Sequence, residues 1–147
     1  MKIYIGSDHA GYELKEKIKI FLKESNYEVI DRGAFELNNE DDYPDFIVPV
    51  ALDVASDDES FGIIFGGSGE GEAMSANKVE GVRATEYYGG DPEIIKVSRE
   101  HNNANILSLG ARFVTEKEAK EAIKLFIETK FSGEERHIRR INKLDTE

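Results

Sequence analysis

An alternation restricts this chain more than any other feature. Five short runs of β-branched, aromatic and aliphatic residues (Lys2 to Gly6, Tyr27 to Ile30, Phe61 to Phe65, Val82 to Thr85 and Ile106 to Leu109) are each followed by a segment of helical period. The pattern switches from short apolar runs, as in strands buried on both faces, to the 3.6-residue spacing of amphipathic helices and back. Parallel strands need crossover connections, and helices on both faces of the sheet supply them. The chain is therefore predicted to be α/β, a five-stranded parallel sheet between two layers of helix. Ligands of such sheets bind beyond the carboxyl ends of the strands, where the strand order switches. The stretches Gly6 to Gly11, Gly66 to Glu72 and Gly110 to Arg112 all fall at those ends.

The helices declare themselves in turn. From Tyr12 to Ser25, Leu14, Ile18, Ile20, Phe21 and Leu22 stand among lysines and glutamates. Pro44 suits the first turn of a helix to about Ser56, although Pro49 removes one internal hydrogen bond. Asp91 and Pro92 predict the cap and first turn of a helix to about His101. Thr115 and Glu118 form a capping box for a helix to about Thr129, and a last helix covers about Glu134 to Leu144. Between the second strand and Pro44, residues 31–43 are acidic and asparagine-rich, a connection longer than usual and so a functional loop. No internal repeat or linker interrupts the chain, and 147 residues suit one domain, 1–147.

Composition narrows the function. The chain has no cysteine, which excludes a disulfide framework, a cysteine-held zinc and a thiol nucleophile. A formal charge of −11 argues against a nucleic-acid partner, since phosphate neutralisation needs a basic surface. No charged segment followed by a long apolar run opens the chain, and no window approaches membrane-span length. The expectation is a cytoplasmic protein with no membrane partner, able to take small anions where basic side chains gather.

A second kind of seat for negative charge, made by backbone N–H groups and not by basic side chains, is the stretch Phe61 to Lys78, FGIIFGGSGEGEAMSANK. A strand runs into Gly66, Gly67, Ser68, Gly69, Glu70 and Gly71, whose backbone can turn N–H groups toward a ligand, and then into a helix. It matches no nucleotide fingerprint: the P-loop pattern is absent, and the dinucleotide glycine spacing fails because Glu72 stands where glycine is required. Either an oxyanion pocket or simply a tight turn fits these residues. Glu72 is a base at the mouth of that pocket, or an acid favoured by a helix's first turn. Asp8 and His9 orient or protonate a substrate, or serve as turn and capping residues. His101 precedes the fifth strand and so belongs at the opposite edge of the sheet, where a helix C-terminus also favours a cation. Arg136 and Arg140 are four residues apart on one helical face, a two-arginine clamp for phosphate that Arg112 can join, or else part of a solvated face.

Taken in order, GSDHAG at Gly6 to Gly11, DYPD at Asp42 to Asp45, GGSGEGE at Gly66 to Glu72, ANK at Ala76 to Lys78, REHNNAN at Arg99 to Asn105, GAR at Gly110 to Arg112 and ERHIRR at Glu135 to Arg140 closely resemble the type B ribose-5-phosphate isomerase family, which includes galactose-6-phosphate isomerase subunits. The resemblance implies a Rossmann-like three-layer sandwich whose C-terminal helix takes part in dimerisation. It implies a homodimer, or a tetramer built from it, with active sites shared at the interface and with neither metal nor organic cofactor. The reaction it implies is aldose-ketose isomerisation of a small phosphorylated sugar through a cis-enediolate, ribose 5-phosphate to ribulose 5-phosphate. One branch of the family uses a cysteine just after the third strand as base. Here that position is Gly66, as in the branch that uses a later glutamate, which is Glu72.

Matched to this sequence, Gly67, Ser68, Gly69, Glu70 and Gly71 cradle the oxyanion, and Asp8 and His9 meet the sugar and phosphate ends. Tyr43 walls the pocket. His101 and Asn102, supplied by the partner subunit, serve ring opening and a sugar hydroxyl, with Asp8 the other candidate for ring opening. Arg112, Arg136 and Arg140 hold the phosphate. Two stretches depart from the pattern, Glu86 to Ile95 and the 31–43 loop, and both flank the pocket. They leave the sugar's identity open more than the chemistry, so another sugar phosphate, such as galactose 6-phosphate, is the alternative substrate. Separately, a non-catalytic module that binds sugar phosphates or nucleotides is the alternative from another class.

Overall fold

The computed structural model describes residues 1–146. Five strands form one sheet, β1 (Lys2–Ser7), β2 (Glu28–Asp31), β3 (Phe61–Gly66), β4 (Ala84–Tyr87) and β5 (Ile106–Gly110). Between and after them run α1 (Tyr12–Glu24), α2 (Pro44–Ala55), α3 (Glu70–Ala76), α4 (Glu93–Asn102), α5 (Glu116–Glu128) and α6 (Glu135–Ile141). The strand order is β2-β1-β3-β5-β4, parallel throughout. From β1 the chain steps outward to β2 and then crosses to β3 on the other side of β1. That reversal makes the ends of β1 and β3 the switch point.

Side-chain alternation divides the core. Ile3, Ile5, Ile63, Phe65, Leu107 and Leu109 face α1, α4 and α5, meeting Leu14, Ile18, Leu22, Ile95, Ile123 and Phe126. Tyr4, Ile64 and Ile106 face the other way, against Ile47, Val50, Ala51 and Val54 of α2 and Ala76 of α3. These β3 and β5 residues are 0% exposed, so the apolar runs read from the sequence are strands covered on both faces. The α/β three-layer expectation holds.

Some boundaries move. The fourth strand was expected over Val82 to Thr85 but covers Ala84–Tyr87. Val82 closes a turn onto the Val79 carbonyl, and the Asn77 side chain grips Ala84 through both its amide groups, so pairing with β5 begins only there. Asp91 caps as expected, its Oδ1 accepting from the Glu93 N–H at 2.9 Å, but Pro92 is the cap position and the helix proper starts at Glu93. The capping box of Thr115 and Glu118 is complete in both directions. The last helix is regular only to Ile141; beyond it Asn142, Lys143 and Leu144 make separate turn hydrogen bonds.

Candidate active site

Three loops meet at the carboxyl ends of β1, β3 and β5. After β3 the chain turns through Gly67 and Ser68 to Gly69, whose φ of +83° is the left-handed conformation that starts α3. Ser108, buried in the middle of β5, donates through Oγ to the Gly69 carbonyl at 2.6 Å and pins the turn from beneath. Ser68 Oγ accepts from the Glu70 N–H at 3.2 Å. The N–H groups of Ser68, Gly69 and Gly71 find no acceptor among the described residues. Arg112 lies over Gly67 and the Tyr43 ring over Gly71, so both sequence candidates flank this loop.

Glu72 is 4% exposed and folds back over the end of β3. A side chain at Gly66 would fall inside the Glu72 carboxyl group, so the glycine is what gives the acid its seat. Any side chain at position 66 would therefore compete with the Glu72 carboxyl group for the same space. Burial pushes the Glu72 pKa above the usual carboxylate range, with the neighbouring Asp8 charge acting in the same direction. A hydrogen bond from its own backbone N–H and the nearby His9 pull the other way without prevailing. The sequence left that balance open. Burial wins it.

Asp8, also buried, accepts from the Ala10 and Gly11 N–H groups through Oδ1 at 3.0 and 3.2 Å, which fixes the loop after β1. His9 is held by a residue that sequence reading missed. Asp41 Oδ1 accepts from the His9 backbone N–H at 3.0 Å and lies 2.7 Å from the ring Nδ1. With the proton on Nδ1, Nε2 is left without a partner among the described residues. The Asp41 side chain is 7% exposed and its Oδ2 has no hydrogen bond among the described residues. Asp8, His9 and Asp41 bring one ligand atom each within 4.8 Å of one another, but Nδ1 is already committed to Asp41, and no open chelate results. Asp41 stands one residue before the DYPD motif, in the long acidic loop whose length marks it as functional without singling out Asp41. Ser108 carried a fainter signal, one hydroxyl in an otherwise apolar strand.

The remaining candidates lie elsewhere. α4 runs back from the carboxyl ends of the strands, leaving His101 and Asn102 where β5 begins, as its place in the chain predicts. His101 stacks on His137 of α6, ring centroids 4.4 Å apart. Asn102 lines a groove beside β4 with Asn77 and Leu144, and Arg136 pairs with Glu134 at 3.1 Å. Within one chain, then, Glu72, Asp8, His9, Tyr43, Arg112 and residues 67–71 converge, while His101, Asn102, Arg136 and Arg140 form a second group. A cavity of about 1000 Å³ at the opposite edge of the sheet, between Lys2, Phe61, Arg83 and Arg99, contains none of these residues.

Comparison with known proteins bears on this division. The sequence profile of the Ribose/Galactose Isomerase family matches residues 3–144. Ribose-5-phosphate isomerase B of Mycolicibacterium paratuberculosis is 43% identical over 144 residues, 98% of this chain and 89% of that protein. The structure of ribose-5-phosphate isomerase B from Mycoplasma genitalium with bound ribulose-5-phosphate superposes with a TM-score of 0.91 at 40% identity, covering 97% of this chain and 93% of that one. The enzyme from Clostridium thermocellum gives 0.90 at 44% identity, over 98% and 95%. With its sheet order, its glycine loop and its sequence matched from end to end, the chain belongs to the ribose/galactose isomerase family.

Proposed function

We propose that this chain interconverts ribose 5-phosphate and ribulose 5-phosphate through a cis-enediolate, with Glu72 moving the proton between C2 and C1. As a family member it is an aldose-ketose isomerase, and the relatives named above support the five-carbon substrate. The observation that carries the mechanism is the buried Glu72 carboxyl group beside the N–H groups of Ser68, Gly69 and Gly71, which have no acceptor among the described residues. Removing a proton next to a carbonyl drives negative charge onto the carbonyl oxygen, and donors already aimed at that oxygen stabilise it without reorganising. The raised pKa suits Glu72 to take the proton and return it to the adjacent carbon. Tyr43 closes one side, and His9 and Arg112 hold the far end of the sugar phosphate. Asp8 stands ready in the same subunit for ring opening; His101 requires a second copy.

Two copies make the proposal complete. His101, Asn102, Arg136 and Arg140 lie in a group apart from Glu72, which supports a homodimer in which α6 takes part and each copy completes the other's pocket, or a tetramer of such dimers. In this reading residues 1–147 act as one domain. No described helix is long and apolar enough to cross a membrane, and we place the enzyme in the cytoplasm. The test is deuterium exchange from solvent into C2 of ribose 5-phosphate, followed by NMR with EDTA present. Wild type should exchange and form ketose; Glu72→Gln should bind and do neither. Exchange by Glu72→Gln at the wild-type rate would remove it as base. A second reading, another sugar phosphate, rests on the cavity of about 290 Å³ that Phe35 and Asp41 of the 31–43 loop form with Phe46 of α2. Turnover of galactose 6-phosphate in preference to ribose 5-phosphate would favour it.

A further inference from the structure

His137 is the one histidine of the chain with no part in the mechanism above, and it is the most buried, at 4% exposed. Its surroundings account for both ring nitrogens and one face of the ring. Ser132 Oγ lies 3.0 Å from Nδ1, and Arg136 Nε points at Nε2 from 3.3 Å. Arg136 Nε can only donate, so Nε2 must accept, and Nδ1 carries the proton and donates to Ser132. The flat of the ring faces His101 at 4.4 Å, inclined by 37°. Ser132 is itself tied down, because its backbone N–H donates to the Glu100 carbonyl at 3.1 Å and its Oγ accepts from the Glu134 N–H at 3.3 Å. One side chain on α6 thus joins the end of α4, the 129–134 connection and the first turn of α6. Burial holds the ring below its ordinary pKa, and the His101 ring and the Arg136 and Arg140 guanidinium groups act with it against the single opposing Glu134. A neutral ring is required, since an imidazolium has no lone pair to accept from Arg136.

We infer that His137 is a positioning residue, a neutral Nδ1–H imidazole that seats His101 on its face and aims the Arg136 guanidinium through Nε2. The inference rests on the reading that His101 and Arg136 serve the partner's pocket. It adds that ring opening and phosphate binding are set by one group, so the two contacts arrive together when the copies dock. Geometry errors of about an ångström in such groups cost up to about a hundred-fold in rate, which is the scale a misplaced His101 would show.

Two substitutions divide the role. His137→Phe keeps a flat ring under His101 and removes the acceptor; KM for ribose 5-phosphate should rise roughly ten-fold with kcat within about two-fold. His137→Gln offers Oε1 near the Nε2 position and removes the stack; kcat should fall roughly ten-fold with KM nearly unchanged. Parallel losses of kcat and KM in both variants would mean a merely structural residue and overturn the inference. Nitrogen-15 NMR of the wild-type histidines is independent of how the variants fold. His137 should be the Nδ1–H tautomer near neutral pH, and an Nε2–H tautomer or an imidazolium would overturn the assignment. Arg136→Ala separates the two levels. If its KM is unchanged, the phosphate reading of Arg136 fails and the inference with it; if it rises while His137→Phe stays normal, only the inference fails.

Discussion

Glu72 is asked to be charged where charge is costly. Its carboxyl group is 4% exposed, and burial lifts its pKa in the folded state above the unfolded value. The folded protein therefore holds that proton more tightly, and the stability this linkage provides is fully present in acid and is lost as pH rises through the folded pKa. Glu72→Gln, which needs no proton, should melt a few degrees above wild type at neutral pH, and the gap should close as the pH is lowered into the ordinary carboxylate range. Calorimetry across pH checks this; an equal gap throughout would mean that buried charge is not its cause. The same shift should set the acid limb of kcat, with activity failing at a higher pH than an exposed glutamate would allow. Gly66 supports the same acid from outside. Gly66→Ala would push the carboxyl group out of its seat, and steady-state kinetics should show kcat down about a hundred-fold or more. Normal turnover would mean that the base works from another position. At this scale Glu72, Asp8 and His9 were legible because loop chemistry is local. Asp41 was not, because an acid in a long loop gains its partner only when that loop folds back across 32 residues onto His9.

Among the elements, α1 holds a lysine that its sequence conceals. Lys15 sits beside Leu14 in a helix of lysines and glutamates and reads as part of the wet face, yet it is 0% exposed. Its Nζ donates to both Asp31 oxygens at 2.8 Å and to the Ala34 carbonyl at 2.7 Å, fastening α1 to the end of β2 and the start of the 31–43 loop. Burial would raise the Asp31 pKa, but hydrogen bonds from Lys15, Lys19 and the Gly33 N–H outweigh it and hold the carboxyl group below its usual range. Its contribution to stability is present above the unfolded pKa and disappears as pH falls through the folded one. Removing one partner of a buried pair leaves the other uncompensated, so Asp31→Asn should cost about 3 kcal/mol at neutral pH. Urea denaturation checks it, and a loss nearer that of a surface pair would show that Glu16, 3.3 Å from Lys15 Nζ, and the Ala34 carbonyl suffice for Lys15. Periodicity located α1 correctly; it cannot tell a lysine that reaches a buried acid from one that reaches water.

For the whole molecule the question is how the two groups of site residues meet. If each copy completes its partner's pocket, Glu72→Gln and His101→Ala are defects on opposite sides of a shared site. Mixing the two inactive proteins under exchange should create hybrid dimers with one intact pocket and restore about a quarter of the wild-type activity. No recovery, in mixtures that sedimentation shows to have exchanged, would keep all catalysis within one chain. By itself the sequence determined the alternation of strand and helix, the glycine turn after β3, the acid that follows it and the placing of His101 away from them. Each of these depends on residues a few positions apart, where periodicity and backbone freedom act directly. Only the tertiary structure decided that burial outweighs the opposing pulls on Glu72, that Gly66 makes room for its carboxyl group, that Asp41 orients His9 and that His137 joins α4 to α6. Those results depend on which distant groups share a desolvated space, and hydrogen bonding and charge in such a space follow distance through the fold rather than along the chain.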